Sequence, residues 1–535
     1  MSADSWHIGR AAAPGLACGP LFRLPATDVP QRQRGSAAEE TAALRAAIAA
    51  AIAEIEMLQL SAGAEAAEIL EFQIAMLGDD ALTEGAFADI DGGMAADCAW
   101  RTAMDAQIAD YSAASDEYFR ARAGDLTDMR DRVLGHLLGI ADTAPPHGAI
   151  VLAPDLAPSR FLAWDWSGGG GVALMGGSPT SHVAMLARAR GVPMVVGLPP
   201  EIGRRPNAPA ILLDGEGGRI NLAPTPDDIR SFESRRKQAV ADAQHWQQFL
   251  HRPAKTAAGH RVLTQINVAG PGELDHLDPD ICDGIGLVRT EFLFHDQPTL
   301  PNEEQQLAVY RRILAWADGR PVTIRTLDAG GDKPIVGLTQ DGESNPFLGL
   351  RGIRLSLAHP EIFRVQLRAL ARAAANGPLK IMLPMVTVPE EVLAAADLLR
   401  GEIVALGNAG IDCRPPELGI MVEVPAAALA IERFPASFFS IGSNDLTQYV
   451  TAAARDIAAV ASLNDTANPA VLGLIERVAA FGKSAGKEVS LCGDAGGDPR
   501  LIPQLLATGL RNFSMAPSML ARAKATIADW SGAPS

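Results

Sequence analysis

The segment Gly176-Gly177-Ser178-Pro179-Thr180-Ser181-His182 puts a histidine at the start of a helical pattern that continues Val183-Ala184-Met185-Leu186-Ala187-Arg188. An apolar run, Val172 to Met175, leads into it. Thr180 and Ser181 are residue types that cap helices. His182 therefore falls where free backbone N–H groups and the helix dipole favour an anion. An imidazole in that position is suited to carry a phosphoryl group, and the glycines ahead of it would let a second domain come close. The same residue could equally be a capping histidine without chemistry, and the motif alone leaves both readings open.

A second set of polar residues recurs where apolar runs end. Arg289 lies in Leu287-Val288-Arg289-Thr290-Glu291-Phe292, and Arg325 in Ile324-Arg325-Thr326-Leu327-Asp328, which continues to Asp332-Lys333. Arg351 lies in the loop Asn345-Pro346-Phe347-Leu348-Gly349-Leu350-Arg351-Gly352-Ile353-Arg354. An arginine inside an apolar strand is costly unless it meets an anion, and guanidinium forks match phosphate and carboxylate oxygens. The alternative is internal ion pairing, for example Arg289 with Glu291. Glu423 closes the run Gly419-Ile420-Met421-Val422, and Asp445 follows Ser440-Ile441-Gly442-Ser443-Asn444. Two carboxylates at neighbouring strand ends are enough for Mg²⁺ when substrate oxygens and water complete its shell; each could instead neutralise a nearby Arg or Lys. Cys492 ends the last of these runs, before Gly493 and Asp494. A lone cysteine is usually inert core, but at a catalytic rim it suits an acid–base role that needs a tuned thiol.

Positioning these groups takes a particular set of elements. Eight candidate strands, Val262–Val268, Gly286–Phe292, Val322–Asp328, Leu379–Met385, Leu418–Val424, Phe438–Ser443, Glu488–Cys492 and Phe513–Met515, alternate mostly with helical patterns. That arrangement predicts a (β/α)8 barrel, with chemistry at the C-terminal strand ends where the polar residues fall. Upstream, Ala149–Ala153, Val172–Met175, Pro193–Val196, Ile211–Asp214 and Arg219–Leu222 predict a small α/β domain around His182. Ala37 to Gly139 is helical in period, a subdomain of about four helices. The helical block then reads as an insertion, and the first residues return to the sheet. The expected boundaries are 1–25 plus 145–225 for the α/β domain, 26–144 for the helical subdomain, 226–253 for a linker helix and 254–535 for the barrel.

Composition narrows the function class. A chain of 535 residues that is 48% hydrophobic and 20% charged can build several cores, and a net charge of −17 argues against nucleic-acid or anionic-membrane surfaces. Five cysteines without metal spacing, no signal-peptide pattern and no membrane-length apolar run suit the cytoplasm. The first helices are rich in acid: Glu39, Glu40, Glu54, Glu56, Glu65, Glu68 and Glu71 form a solvated face or a dock for a basic partner.

Taken together, the histidine motif, both arginine strands, the Asn345–Arg354 loop, Gly419–Pro425, Ser440–Tyr449, Cys492-Gly493 and the opening Gly9–Gly15 resemble enzyme I of the phosphoenolpyruvate:sugar phosphotransferase system over nearly the whole chain. The resemblance implies an α/β multidomain fold: a small swivelling phosphohistidine domain with an inserted helical subdomain, then a C-terminal (β/α)8 TIM barrel. It implies that phosphoenolpyruvate (PEP) binds at the barrel mouth with Mg²⁺. His182 takes the phosphoryl group, pyruvate leaves, and the small carrier HPr or an HPr-like domain receives the group at the helical subdomain. Carried over residue by residue, Glu423 and Asp445 look like metal ligands. Arg289 and Arg325 look like phosphate ligands supported by Arg351 and Lys333, Asn444 and Arg455 like further PEP contacts, and Cys492 like the acid that protonates C3. A homodimer through the barrel is expected on the same ground.

This sequence departs from the pattern in three places. Asp494 stands for the usual Glu, Asp456-Ile457 for Gly-Asn, and Gln73 for the His of many members. The last puts the identity of the carrier in question. No sensory domain is expected ahead of Gly9. Pyruvate phosphate dikinase and PEP synthase share the histidine domain and barrel, but the helical block is too short for their ATP-binding domain. A non-catalytic regulator would not need the thiol acid.

Overall fold

The computed structural model describes residues 6–24, 34–60, 64–113, 117–140, 143–179, 181–204, 209–294, 299–330, 335, 337–339, 343–454, 457 and 460–532. Contacts divide the chain into two compact units, Met1–Val240 and Ala241–Ser535.

The first unit opens with four short strands, β1 (Trp6–Ile8), β2 (Arg10–Ala13), β3 (Leu16–Gly19) and β4 (Leu21–Arg23). Helices α1 (Ala37–Leu60), α2 (Ala64–Leu77), α3 (Asp80–Asp91), α4 (Ala96–Ala113) and α5 (Glu117–Leu138) follow. Then come β5 (Ile150–Ala153), α6 (Pro158–Ala163), β6 (Gly171–Leu174), α7 (His182–Ala189), β7 (Met194–Val196), β8 (Ile211–Asp214), β9 (Arg219–Asn221) and α8 (Pro226–Gln247). The opening strands do return to the later ones. They complete a five-stranded sheet in the order β2-β7-β6-β5-β4 and a four-stranded sheet in the order β1-β9-β8-β3. Strand period decides the packing. In β5, Ile150 and Leu152 turn to an apolar layer shared with Ile211, Leu213 and Ile220 of the smaller sheet. Val151 and Ala153 turn the other way, to Phe161, Val183 and Leu186 of the helices. With both faces covered, the strand reads as one continuous apolar run.

Among the described residues the helical block shows five helices, where the period suggests about four. Asp79 starts α3 by accepting the Ala81 N–H at 2.9 Å, so the chain turns within what reads as a continuous apolar period. Among the described acidic residues, Glu39, Glu54, Glu56 and Glu71 are exposed, but Glu40 is not part of that face. Glu40 is buried and accepts N–H groups from Gly35 (2.7 Å) and from Ala96, the first residue of α4 (2.8 Å). Glu54 pairs with Arg132 and with His136 of α5.

The second unit is a closed barrel of eight parallel strands. These are β10 (Leu263–Val268), β11 (Ile285–Val288), β12 (Val322–Arg325), β13 (Leu379–Leu383), β14 (Glu417–Val422), β15 (Phe438–Gly442), β16 (Glu488–Cys492) and β17 (Asn512–Met515). Around them lie α9 (Glu303–Ala317), α10 (Ile353–Ala358), α11 (Pro360–Ala373), α12 (Pro389–Asn408), α13 (Pro425–Leu429), α14 (Ser443–Thr451), α15 (Pro469–Ala485), α16 (Ile502–Ala507) and α17 (Leu520–Asp529). Five strands, β11 to β15, end earlier than the apolar runs suggest, the first two by three residues or more. β11 stops at Val288 because Thr290 turns to φ −110°, ψ −1° and starts a 3₁₀ turn at Glu291–Leu293. β12 stops at Arg325 and not at Asp328.

Each end of α8 is fixed within its own unit. Phe232 is buried against Trp6, with ring centroids 6.3 Å apart, and Arg235 reaches Asp214 at 3.4 Å. Past the boundary, the Arg522 guanidinium of α17 lies 4.8 Å over the Trp246 ring. The buried Lys524 donates to the carbonyls of Leu250 and Ile281, both at 2.6 Å. The turns from 236 to 241 between these anchors are exposed.

Candidate active site

His182 is the first residue of α7, and Ser181 is its cap: the Ser181 Oγ accepts the Ala184 N–H at 3.4 Å. Thr180 lies outside the described residues. Gly177 sits at φ +80°, a left-handed conformation that suits glycine, so backbone geometry already accounts for it. Arg188, in the last turn of α7, donates to the carbonyls of Ala12 (2.6 Å) and Pro179 (2.8 Å), which ties down the loop ahead of the histidine. The imidazole keeps 27% of its surface, enough to be reached from outside, and its Nδ1 is 3.9 Å from Asp125 Oδ2 on α5. Burial pushes the Asp125 carboxyl up to about 6, against the pull of Arg122 at 3.3 Å. A carboxylate on the Nδ1 side favours the tautomer with its proton there and its lone pair on Nε2.

A cavity of about 700 Å³ adjoins the ring, lined among others by Asp125, Asp128, Arg132, Asp155 and Arg160. Asp128 is fully buried and accepts from Gln73 (3.0 Å) and from Ser159. Gln73 is itself buried, so its departure from the family pattern changes an internal bond between α2 and α5 and not an exposed docking face.

At the barrel rim, the arginines at the end of β12 and in the loop after it face carboxylates from the same and other strand ends. Arg325 bonds Glu291 and Asp328, each at 3.0 Å. Arg351 bonds the same Asp328 through two nitrogens (3.2 and 2.9 Å), approaches Asp445 at 3.5 Å and meets the Tyr449 hydroxyl at 3.3 Å. Burial alone would lower both arginines; the surrounding carboxylates outweigh it and hold them charged. Glu291 thus serves Arg325 across the strands, and the alternative pairing of Arg289 with Glu291 is not seen. Among the described residues no ion pair or hydrogen bond engages the half-buried Arg289 guanidinium, and its charge acts on the Cys492 thiol.

Glu423 follows β14 and Asp445 lies in the first turn of α14, after β15, so two hydrogen-bonded strands bring them together. Glu423 Oε1 accepts the Met385 N–H at 2.6 Å, and Met385 holds a left-handed φ of 58° to offer it. Burial, with Asp445 and Asp328 nearby, raises the Glu423 carboxyl. Asp445 Oδ1 is buried without a hydrogen-bond partner. Among the described residues no group of three or more His, Cys, Asp or Glu is arranged to hold a metal. The pair nevertheless fits a hard divalent cation: oxygen donors, one with an unused buried lone pair, to which substrate and water oxygens would be added.

Asn444 exchanges bonds with Asp494: its Nδ2 donates to Asp494 Oδ2 and its Oδ1 accepts the Asp494 N–H, both at 3.1 Å. Asp494, which stands for the usual Glu, is therefore the residue that orients Asn444. Cys492 ends β16, fully buried, and burial pushes its thiol up to about 11. Gly493 follows at φ +109°, where an added Cβ would also collide with the Ser443 hydroxyl. Lys333, Arg455 and Asp456 lie outside the described residues, and Ile457 is exposed. Sequence reasoning passed over Asp125, Asp128, Asp328 and Tyr449. The last two stand in motifs already singled out; the first two carry no local signal, since their partners come from other elements.

Three sequence families cover most of the chain: "PEP-utilising enzyme, N-terminal" at residues 8–122, "mobile domain" at 145–218 and "PEP-binding domain" at 243–531. Proteins named phosphoenolpyruvate-protein phosphotransferase from Bacillus sp. (strain S) and from Geobacillus stearothermophilus are each 36% identical over 97% of this chain and 92% of their own length. The chain belongs to the phosphoenolpyruvate-protein phosphotransferase family. A solved structure titled as Enzyme I (nEIt) is 27% identical and covers 44% of this chain and 99% of its own, with a TM-score of 0.35. In this family member the first two matched segments fall in the first compact unit, with His182, and the third begins close to where the barrel unit begins. No helix among the described residues is long and apolar enough to cross a membrane.

Proposed function

We propose that this chain transfers the phosphoryl group of PEP to its own His182, releases pyruvate, and passes the group to a histidine of HPr or an HPr-like carrier. The observation that carries the reading is a relative-length match to phosphoenolpyruvate-protein phosphotransferases in a chain that presents His182 at an accessible helix N-terminus. The buried arginines and carboxylates of the rim support it: the transfer asks a protein mainly for alignment and charge stabilisation.

In this reading Arg289 and Arg325 receive the phosphate, supported by Arg351 and Lys333, while Asn444 and Arg455 hold the remaining PEP oxygens. Asp328 keeps Arg325 and Arg351 at fixed spacing before substrate arrives, which removes an ordering cost. Glu423 and Asp445 would hold Mg²⁺, which when bound neutralises charge on the phosphate oxygens. The imidazole lone pair of His182 forms the N–P bond as the P–O bond to enolpyruvate breaks. Cys492, kept neutral by burial, then delivers a proton to C3. The α/β segments 1–25 and 145–225 form the moving phosphohistidine domain, 26–144 the carrier dock, 226–253 the linker and 254–535 the PEP-binding barrel. We assign the protein to the cytoplasm, as a homodimer through the barrel.

The test is incubation with PEP and Mg²⁺ followed by mass spectrometry without acid. The expected result is one phosphoryl group on His182, absent in His182→Ala. An unmodified His182 would overturn the reading.

A further inference from the structure

We propose that Ser440 is a positioning residue for the proton transfer that completes pyruvate: it aims the Cys492 thiol at C3 of the enolate. This rests on the acid role given above to Cys492. Strands β15 and β16 are parallel neighbours in which Gly442 stands level with Cys492 and Ser440 with Ser490. Ser440 and Gly442 share a face, because side chains alternate along a strand. Gly442 has no side chain, so the diagonal from Ser440 to Cys492 is open, and the Ser440 hydroxyl donates to Cys492 Sγ at 3.3 Å.

Both residues are 1% exposed, and the thiol is otherwise packed with Leu287, Met382, Met421 and Phe438. In such surroundings an S–H rotor has no preferred direction of its own. The serine hydroxyl occupies one sulfur lone pair and turns the S–H away from β15. Ser443 fixes the base of the rotor, since its hydroxyl donates to the Cys492 carbonyl at 3.2 Å. The charges that act on the sulfur come from Glu423, Arg325 and Arg289, at the ends of three other strands.

The step balances simply. The enolate double bond supplies the electron pair for the new C–H bond at C3, and the enolate oxygen becomes the ketone. The sulfur keeps the S–H electron pair as a thiolate, to which the Ser440 hydroxyl still donates. Water returns the proton once pyruvate has left.

A thiol held at one angle protonates one face of the enolate. PEP carrying deuterium at one defined C3 position, turned over in tritiated water with HPr present, gives pyruvate whose methyl chirality reports that face. The parent enzyme is expected to give one configuration. Ser440→Ala should lose most of this selectivity and lower kcat about tenfold, the value of one hydrogen bond, with KM for PEP unchanged. Ser440→Thr should restore both. Ser440→Ala with the parent's selectivity and kcat overturns the proposal, as does a racemic methyl group from Ser440→Thr. Should Ser440→Ala fail to phosphorylate His182, the isosteric pair Ser440→Thr and Ser440→Val replaces it, and equal selectivity in that pair overturns the proposal. A chiral product from Cys492→Ala would instead remove the acid role of Cys492 itself.

Discussion

Asp125 shows how a single residue couples the candidate nucleophile to pH. Its carboxyl is buried beside His182 and titrates near 6, above the ordinary 3.8. The raised value means the folded state prefers the protonated acid. Stability from this preference is fully present below about pH 4 and is lost as pH rises through 6. At pH 8 the fold carries a buried charge that Asp125→Asn removes. We expect Asp125→Asn to raise the melting temperature of the His182 unit by several degrees at pH 8, from at most about 3 kcal/mol, and to leave it unchanged at pH 4. Calorimetry at the two pH values checks this; an equal rise at both would rule out charge burial as the cause. At this scale the sequence was most legible where chemistry is local. His182 behind its Ser181 cap, and Arg325, Glu423, Asp445 and Cys492 at or just past strand ends, stand where their motifs suggest. Partners were not legible. Arg289 and Glu291 are near neighbours in sequence, yet Glu291 crosses to Arg325, because a parallel barrel makes the next strand a closer neighbour than the next residue but one.

Among elements, Lys524 of α17 ties the segment that follows α8 to the 3₁₀ turn at Pro279–Ile281. Its ammonium is buried, which lowers its pKa, and it satisfies two carbonyls that would otherwise be left without donors. Lys524→Met keeps the volume but strands both acceptors. Its expected cost is about 3 kcal/mol, read as a lower denaturation midpoint of the barrel with an unchanged denaturant slope. A midpoint within error of the parent would show that these carbonyls find other donors. The eight barrel strands were readable because each is a short apolar run bounded by turn residues. Their ends were less so: the apolar run through Phe292 continues past Val288, and only the backbone turn at Thr290 stops the strand. The fifth helix of the inserted block was hidden for a related reason. The short turn at Gly78 and Asp79 barely interrupts the apolar period, so the sequence marks no clear helix boundary there.

For the whole molecule, His182 belongs to one compact unit and the arginine–carboxylate rim to another. Two calorimetric transitions should follow. A hundredfold excess over Kd of PEP, with Mg²⁺, stabilises the state that binds it by about 2.7 kcal/mol. Only the barrel transition should move, in a His182→Ala background where no phosphoryl transfer intervenes. Equal movement of both transitions would mean that the units unfold together.

The boundary at Val240 lies inside an uninterrupted helix, with exposed turns just ahead of it and anchors further along on either side. A single thread therefore joins the barrel, where we propose that PEP gives up its phosphate, to the ring proposed to receive it. While the thread is whole, dilution does not change how often donor and acceptor meet, because linkage makes the encounter intramolecular. Cut there, the two pieces would trade phosphate only by collision, and loading of the histidine would slow in proportion as the solution is thinned.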